Sequence, residues 1–322
     1  PPTPDYIRRQ RQMCIRDSAG GADTELLFDL QMIPAPRGAE TFLIKLHGLH
    51  GGHSGIDIHL QRGNAVQLLG RMIHGISHGT PGFLADFQGG NMHNAIPREA
   101  WATIACPVGQ SEPLLNSIEK QFEIVRAEFE GVEPGMELSI EKLPTPDEVW
   151  PTYTAWDVLN LIVALPHGVM GMSQDIEGLV ETSTNLAVAK SEGGIFRILM
   201  SSRSSVASSL DWIRQKIRAI ASQAEARVDE HGGYPGWKPD LDSPVLKVVK
   251  SVHARVLGSE PHVEAVHAGL ECGIIGEMIP GMDMISFGPQ IEFPHSPNER
   301  VKVYSVGRFY DLLTAVLEEL AK

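Results

Sequence analysis

The feature that most constrains this chain is the order of apolar patterns between residues 41 and 143. Residues 41–49 read as a strand, and residues 62–77 read as a helix, with Val66, Leu69, Ile73 and Ile76 at helical spacing. Residues 83–87 and 100–106 read as two strands around a polar loop at 88–98. Residues 112–130 form a second helix striped by Leu115, Ile118, Phe122, Ile124 and Val125, and residues 137–143 a further strand. Strand, helix, strand, strand, helix, strand is the split βαβ, ferredoxin-like arrangement.

The rest of the chain is read against that unit. A strand at 25–32 precedes it, and the prolines Pro144, Pro146 and Pro151 make residues 143–151 a joint. A similar order then recurs without residue-level repetition: a helix at 155–165, strands at 179–189 and 195–201, and a helix at 208–226. After His231-Gly232-Gly233 the texture changes. A helix at 244–257, a strand at 262–266, a helix opening near Leu270, a strand at 282–287 and a helix at 303–320 alternate as in an α/β layer. The last helix carries the clearest stripe: Val303, Val306, Phe309, Tyr310, Leu313, Val316, Leu317 and Leu320. Residues 1–18, with Arg8, Arg9, Arg11 and Arg16 and no apolar periodicity, are read as a disordered or non-native lead.

At 322 residues the chain is long enough for two domains, each with its own core. Its 27 basic against 40 acidic residues argue against a general nucleic-acid or anionic-membrane binder, which needs clustered Lys and Arg. No stretch reaches the roughly 18 apolar residues of a membrane helix. Three cysteines do not make a disulfide framework, so a reducing cytoplasm is the expected setting.

Five residues stand out as chemistry. In Phe293-Pro294-His295-Ser296-Pro297 two prolines hold a histidine on a stiff backbone, which suits a metal ligand; the alternative is a surface turn that carries a His. Gly51-Gly52-His53-Ser54-Gly55 lets a ligand approach His53 closely, or is a flexible strand-to-helix loop. His47, His50, His53 and His59 are not read as a zinc site, because no Cys or paired carboxylate completes four ligands. Asn94, in the loop Gly89-Gly90-Asn91-Met92-His93-Asn94, could read a substrate amide or carboxylate, or make an ordinary Asx turn. Arg203, among Ser201, Ser202, Ser204 and Ser205, suits bidentate binding of a carboxylate or is a solvated strand end. In His267-Ala268-Gly269-Leu270-Glu271-Cys272-Gly273, Gly269 could offer its backbone to a ligand, Glu271 could favour a helix start, and Cys272 reads as a buried small hydrophobe.

Taken in order, these strings resemble the dinuclear-zinc aminoacyl-histidine dipeptidases (peptidase D, Xaa-His dipeptidase) of metallopeptidase clan MH. The matching stretches are Leu49 to Gly55, Asn94 to Ala100, Val180 to Ser183, Tyr234 to Trp237, His267 to Gly273 and Pro294 to Pro297. The resemblance implies an α/β enzyme with an α+β lid. Residues 20–232 would be a ferredoxin-like lid and dimerisation domain, and residues 233–322 the C-terminal part of a zinc-peptidase catalytic domain. It implies that His295 is a zinc ligand and that His53 steadies the oxyanion in the partner subunit's site. Asn94 and Arg203 would hold the substrate's C-terminal end, and Gly269 would give it a backbone contact. Two zinc ions, a small peptide substrate, a homodimer and a cytoplasmic setting come with the family. The family's other metal ligands have no counterpart here, so the chain is expected to be N-terminally truncated and inactive by itself. The competing expectations are another clan member, such as a tripeptidase, aminoacylase or deacetylase, and a non-catalytic dimerisation or peptide-binding module.

Overall fold

A computed structural model of the chain describes residues 19–76, 82–174, 176–236, 242–261, 271–292 and 300–322. The strands run β1 (Gly20–Asp29), β2 (Ile33–Pro34), β3 (Glu40–His47) and β4 (Gly52–His53) before helix α1 (Ala65–Ile76). Then come β5 (Phe83–Gly89), β6 (Ala95–Ile96), β7 (Ala100–Cys106), α2 (Ser111–Phe129), β8 (Glu137–Leu143) and β9 (Glu148–Val149). Next are α3 (Thr152–Ala164), β10 (Gly168–Met172), β11 (Val180–Glu192), β12 (Ile195–Ser204), α4 (Ala207–Gln223) and β13 (Arg227–Tyr234). The chain ends with α5 (Pro244–Leu257), α6 (Glu271–Met278), β14 (Ile291–Glu292), β15 (Arg300–Val301) and α7 (Val303–Leu320).

The main sheet has the order β13-β1-β12-β11-β5-β7-β3-β8, with β10 added beside β11. Its second half, β5-β7-β3-β8, is the ferredoxin-like unit expected from the apolar pattern: β3 pairs antiparallel with β7 and β8, and β5 with β7. Its first half, β13-β1-β12-β11, repeats that strand order with α3 and α4 as its helices. Here β1 supplies the first strand, so one unit is inserted into the other between β1 and α3. The echo read in the sequence is therefore a second full unit: its first strand is β1, expected at 25–32 but outside any unit, and its last is β13, where no strand was expected.

The units meet edge to edge where β11 pairs with β5 at only two positions, Ala189 with Gly89 and Lys190 with Gln88. Side chains do the rest of the joining. Phe196 stacks edge-on against Phe87 (6.1 Å) and Trp150 (5.8 Å), all three fully buried. Trp150 also donates its backbone N–H to Leu84 O at 2.6 Å. Asn64 caps α1, its Oδ1 accepting the N–H groups of Val66 and Gln67 at 3.0 and 3.2 Å. From there α1 buries Val66, Leu69, Ile73 and Ile76 in the main core and packs against α2 and α3.

The chain divides into two compact units, Gly21–Gly233 and the remainder. In the second, α5 and α7 enclose Leu246, Val249, Val252, Leu312 and Val316. Ser243 caps α5 by accepting Leu246 N–H at 3.0 Å, Pro244 opens the helix, and Gly258 closes it. Two expectations change in this unit. Residues 282–287 make one isolated bridge rather than a strand. The stripe of α7 is mostly outside, with Val303 81% and Tyr310 67% exposed; of its residues only Val316 is buried, joined by Leu312 from outside the stripe. The expected strand at 262–266 and the lead at 1–18 lie outside the described residues.

Candidate functional site

Backbone pairing sets His53 beside the Asn94–Ala95 link and ties that link to β11, the neighbour of the strand that carries Arg203. In the β4–β6 ladder Gly52 faces Ile96 and His53 faces Ala95, and Ser54 N–H donates to Asn94 O at 2.8 Å. The Asn94–Ala95 link is then tied to the main sheet, because Asn185 on β11 donates Nδ2–H to Ala95 O at 2.8 Å. A carbonyl can only accept, so this bond fixes the orientation of the Asn185 amide. Asn185 pairs with Ser201 and Ser183 with Arg203, so alternation puts these four side chains on one face of β11–β12. All four are buried, Arg203 to within 6%. On the other face the hydroxyls of Thr182 and Ser204, and of Thr184 and Ser202, bond each other at 2.8 and 2.9 Å. That satisfies the polar residues turned away from Asn94.

The histidine loop is held from several directions. Ile58 and Ile96 pack with Val180 beneath it. His53 N–H donates to Asp57 Oδ2 at 2.8 Å, and its Nδ1 accepts N–H bonds from Gly55 and Ile56 at 3.1 and 3.0 Å. Arg62 Nη1 donates to Gly51 O at 2.6 Å and lies 3.9 Å from Asp57 Oδ2. Gly52 has φ +140°, and a Cβ there would sit 2.5 Å from Arg62 Nη1 and 2.8 Å from Asp57 Oδ2. Only glycine fits. Behind the loop, the buried carboxylate of Glu133 accepts from His50 N–H (2.7 Å), His50 Nδ1 (2.8 Å) and Gly63 N–H (2.9 Å).

A second histidine shows the effect of burial. His167 Nδ1 lies 3.2 Å from Asn64 Nδ2, which also donates to Leu186 O at 2.8 Å. The residue is half-buried, and the loss of water around its ring pushes its pKa down to about 4.

Asp57, Arg62, Glu133, Asn185 and His167 were not singled out in the sequence. Asp57 alone left a local sign, an Asp four residues after a glycine-flanked His. The expected sites Gly269 and His295 lie outside the described residues, and Cys272 is partly exposed rather than buried.

Zinc is a poor match for what is described. Among the described residues, Glu25, Asp229 and His231 form the one group of three whose ligand atoms lie within 4.8 Å of one another. Glu25 is already paired with Arg197 at 2.7 Å. His47, His50 and His53 instead bond Ser139, Glu133 and the local backbone. The described residues therefore do not fit a pair of zinc ions.

Fold and site together define an α/β chain in which a doubled ferredoxin-like sheet carries a buried polar face under a glycine-held histidine. Residues 40–319 match the model of Peptidase family M20/M25/M40, and the chain belongs to that family. It is 37% identical over 302 residues to the cytosol non-specific dipeptidase of Escherichia coli (strain K12), covering 94% of this chain and 62% of that protein. It also superposes on the crystal structure of aminoacylhistidine dipeptidase from Vibrio alginolyticus with a TM-score of 0.88 at 37% identity, over 96% of this chain and 63% of that one. The chain thus spans less than two thirds of the length of both relatives. Among the described residues no helix is long and apolar enough to cross a membrane.

Proposed function

We propose that this chain serves metal-dependent hydrolysis of dipeptides, with Xaa-His peptides as the substrate class. The tie between the His53–Asn94 ladder and the buried polar face that carries Arg203 supports that reading. A guanidinium fork matches a carboxylate in shape and charge, and a dipeptide brings its C-terminal carboxylate. Asn94, half-buried beside His53, can hold the same end of the substrate. In this reading residues 20–232 are the lid and dimerisation domain, working in a homodimer, and residues 233–322 belong to the catalytic domain. His295 is this chain's zinc ligand, Gly269 gives the substrate a backbone contact, and the setting is cytoplasmic.

The test uses paired substrates in a catalytically competent form of the protein. Arg203→Ala should raise KM for dipeptides with a free C-terminus by about 10- to 100-fold, the loss of a charged hydrogen bond. C-terminally amidated analogues should change little. Equal losses on both would remove Arg203 from carboxylate binding.

A further inference from the structure

We propose that Asp57 is a positioning residue that locks His53 in the tautomer carrying its proton on Nε2. The inference deepens the reading of His53 given above and rests on it for its catalytic meaning. His53 N–H donates to Asp57 Oδ2 at 2.8 Å, and Asp57 N–H donates back to His53 O at 2.9 Å. These two bonds close a five-residue turn. Inside it, Gly55 and Ile56 aim their N–H groups at His53 Nδ1, at 3.1 and 3.0 Å. A ring nitrogen that accepts two N–H bonds has no room for a proton, so the neutral ring carries it on Nε2.

The turn is closed from outside as well. Arg62 clamps Gly51 O while standing 3.9 Å from Asp57 Oδ2, and together the pair fills the space over Gly52. The imidazole thus takes the local capping part usually played by Asp or Asn, and its far nitrogen becomes a donor. A donor suits a carbonyl oxygen that gains negative charge during hydrolysis, whereas the other tautomer would present a lone pair to it. Asp57 acts only through the histidine it holds.

Long-range proton–nitrogen correlation spectra of the 322-residue chain at pH 8, with His53 assigned by its loss in His53→Asn, test the lock. The wild type should show Nδ1 unprotonated and Nε2 protonated. Asp57→Ala should give a mixture of tautomers, and Asp57→Asn, whose amide oxygen still accepts His53 N–H, should restore the single form. If Asp57→Ala does not fold, Arg62→Ala supplies the loosened turn and should show the same mixing. A wild type protonated on Nδ1, or loosened variants with unchanged spectra, would overturn the proposal. In a catalytically competent form, Asp57→Ala should lower kcat about 10- to 100-fold with little change in KM, since a donor to the developing charge is lost. His53→Asn keeps a cap but no ring donor. If it hydrolyses dipeptides normally while Asp57→Ala still mixes the tautomers, the catalytic reading of His53 fails and the positioning role stands.

Discussion

Glu133 shows how much one residue can organise in a loop region. Its side chain is completely buried, and its two oxygens take up three donors from residues that lie 83 and 70 positions away. Removing the carboxylate would leave the N–H groups of His50 and Gly63 without a buried acceptor, each costing about 1–3 kcal/mol. Glu133→Ala should therefore lose about 3–4 kcal/mol of stability in urea unfolding at pH 7, and Glu133→Gln, which keeps one acceptor, clearly less. A loss below about 0.5 kcal/mol would place it among ordinary surface substitutions and contradict this account. Neither Glu133 nor Asn185 could be recognised from its neighbours. Each is a single polar letter whose meaning depends on a partner far along the chain. His53, Asn94 and Arg203 stand out in the sequence only as candidates, because glycines or small hydroxyl residues flank them locally, and the family resemblance supplies their proposed roles.

At the scale of elements, the long pieces were legible and the pairings between distant pieces were not. Helices such as Pro244–Leu257 and Val303–Leu320 carry caps or full apolar stripes, so their own residues state their limits. The two-residue strands β4 and β6 have no such pattern, yet their ladder brings His53 to Asn94. Residues 282–287 are apolar enough for a strand, and among the described residues they form a single bridge. The seam between the two ferredoxin-like units is the element-level point to test. Two backbone pairs cross it, and Phe196 packs against Phe87 and Trp150 there, beside the α1–α3 contact. Phe196→Ala should cost about 3–5 kcal/mol. It should also split one unfolding transition into two when far-UV circular dichroism is compared with tryptophan fluorescence. A single coincident transition would show that the seam is held elsewhere.

For the whole molecule, His167 sets an acid limit. Its folded-state pKa, about 4, lies below the ordinary value of 6.5. Above pH 6.5 the ring is neutral whether the chain is folded or not, and it contributes no pH dependence. As pH falls from 6.5 toward 4, the unfolded chain binds a proton that the folded one refuses, so stability drops. The loss approaches about 1.4 kcal/mol per pH unit at most, and less for a ring with some exposure. Urea midpoints measured between pH 7 and pH 4.5 should fall, and His167→Gln should flatten that fall. An unchanged slope in the variant would assign the pH dependence to other groups. At this scale the chain is uneven: residues 21–233 enclose a large continuous core, while α6 and α7 leave Met278, Val303, Tyr310 and Leu317 exposed.

The nesting of one ferredoxin-like unit inside the other also sets an order of events during synthesis. Strand β1 ends at Asp29, but its neighbour β12 does not begin until Ile195. At ribosomal speeds of about 5–20 residues per second, β1 therefore waits roughly 8–30 seconds for that partner. The inserted unit, from β3 to β8, is contiguous and can close its own sheet in the meantime. Strand β1 is thus made before the inserted unit and paired with β12 after it, and the emerging chain must keep that edge unoccupied until then.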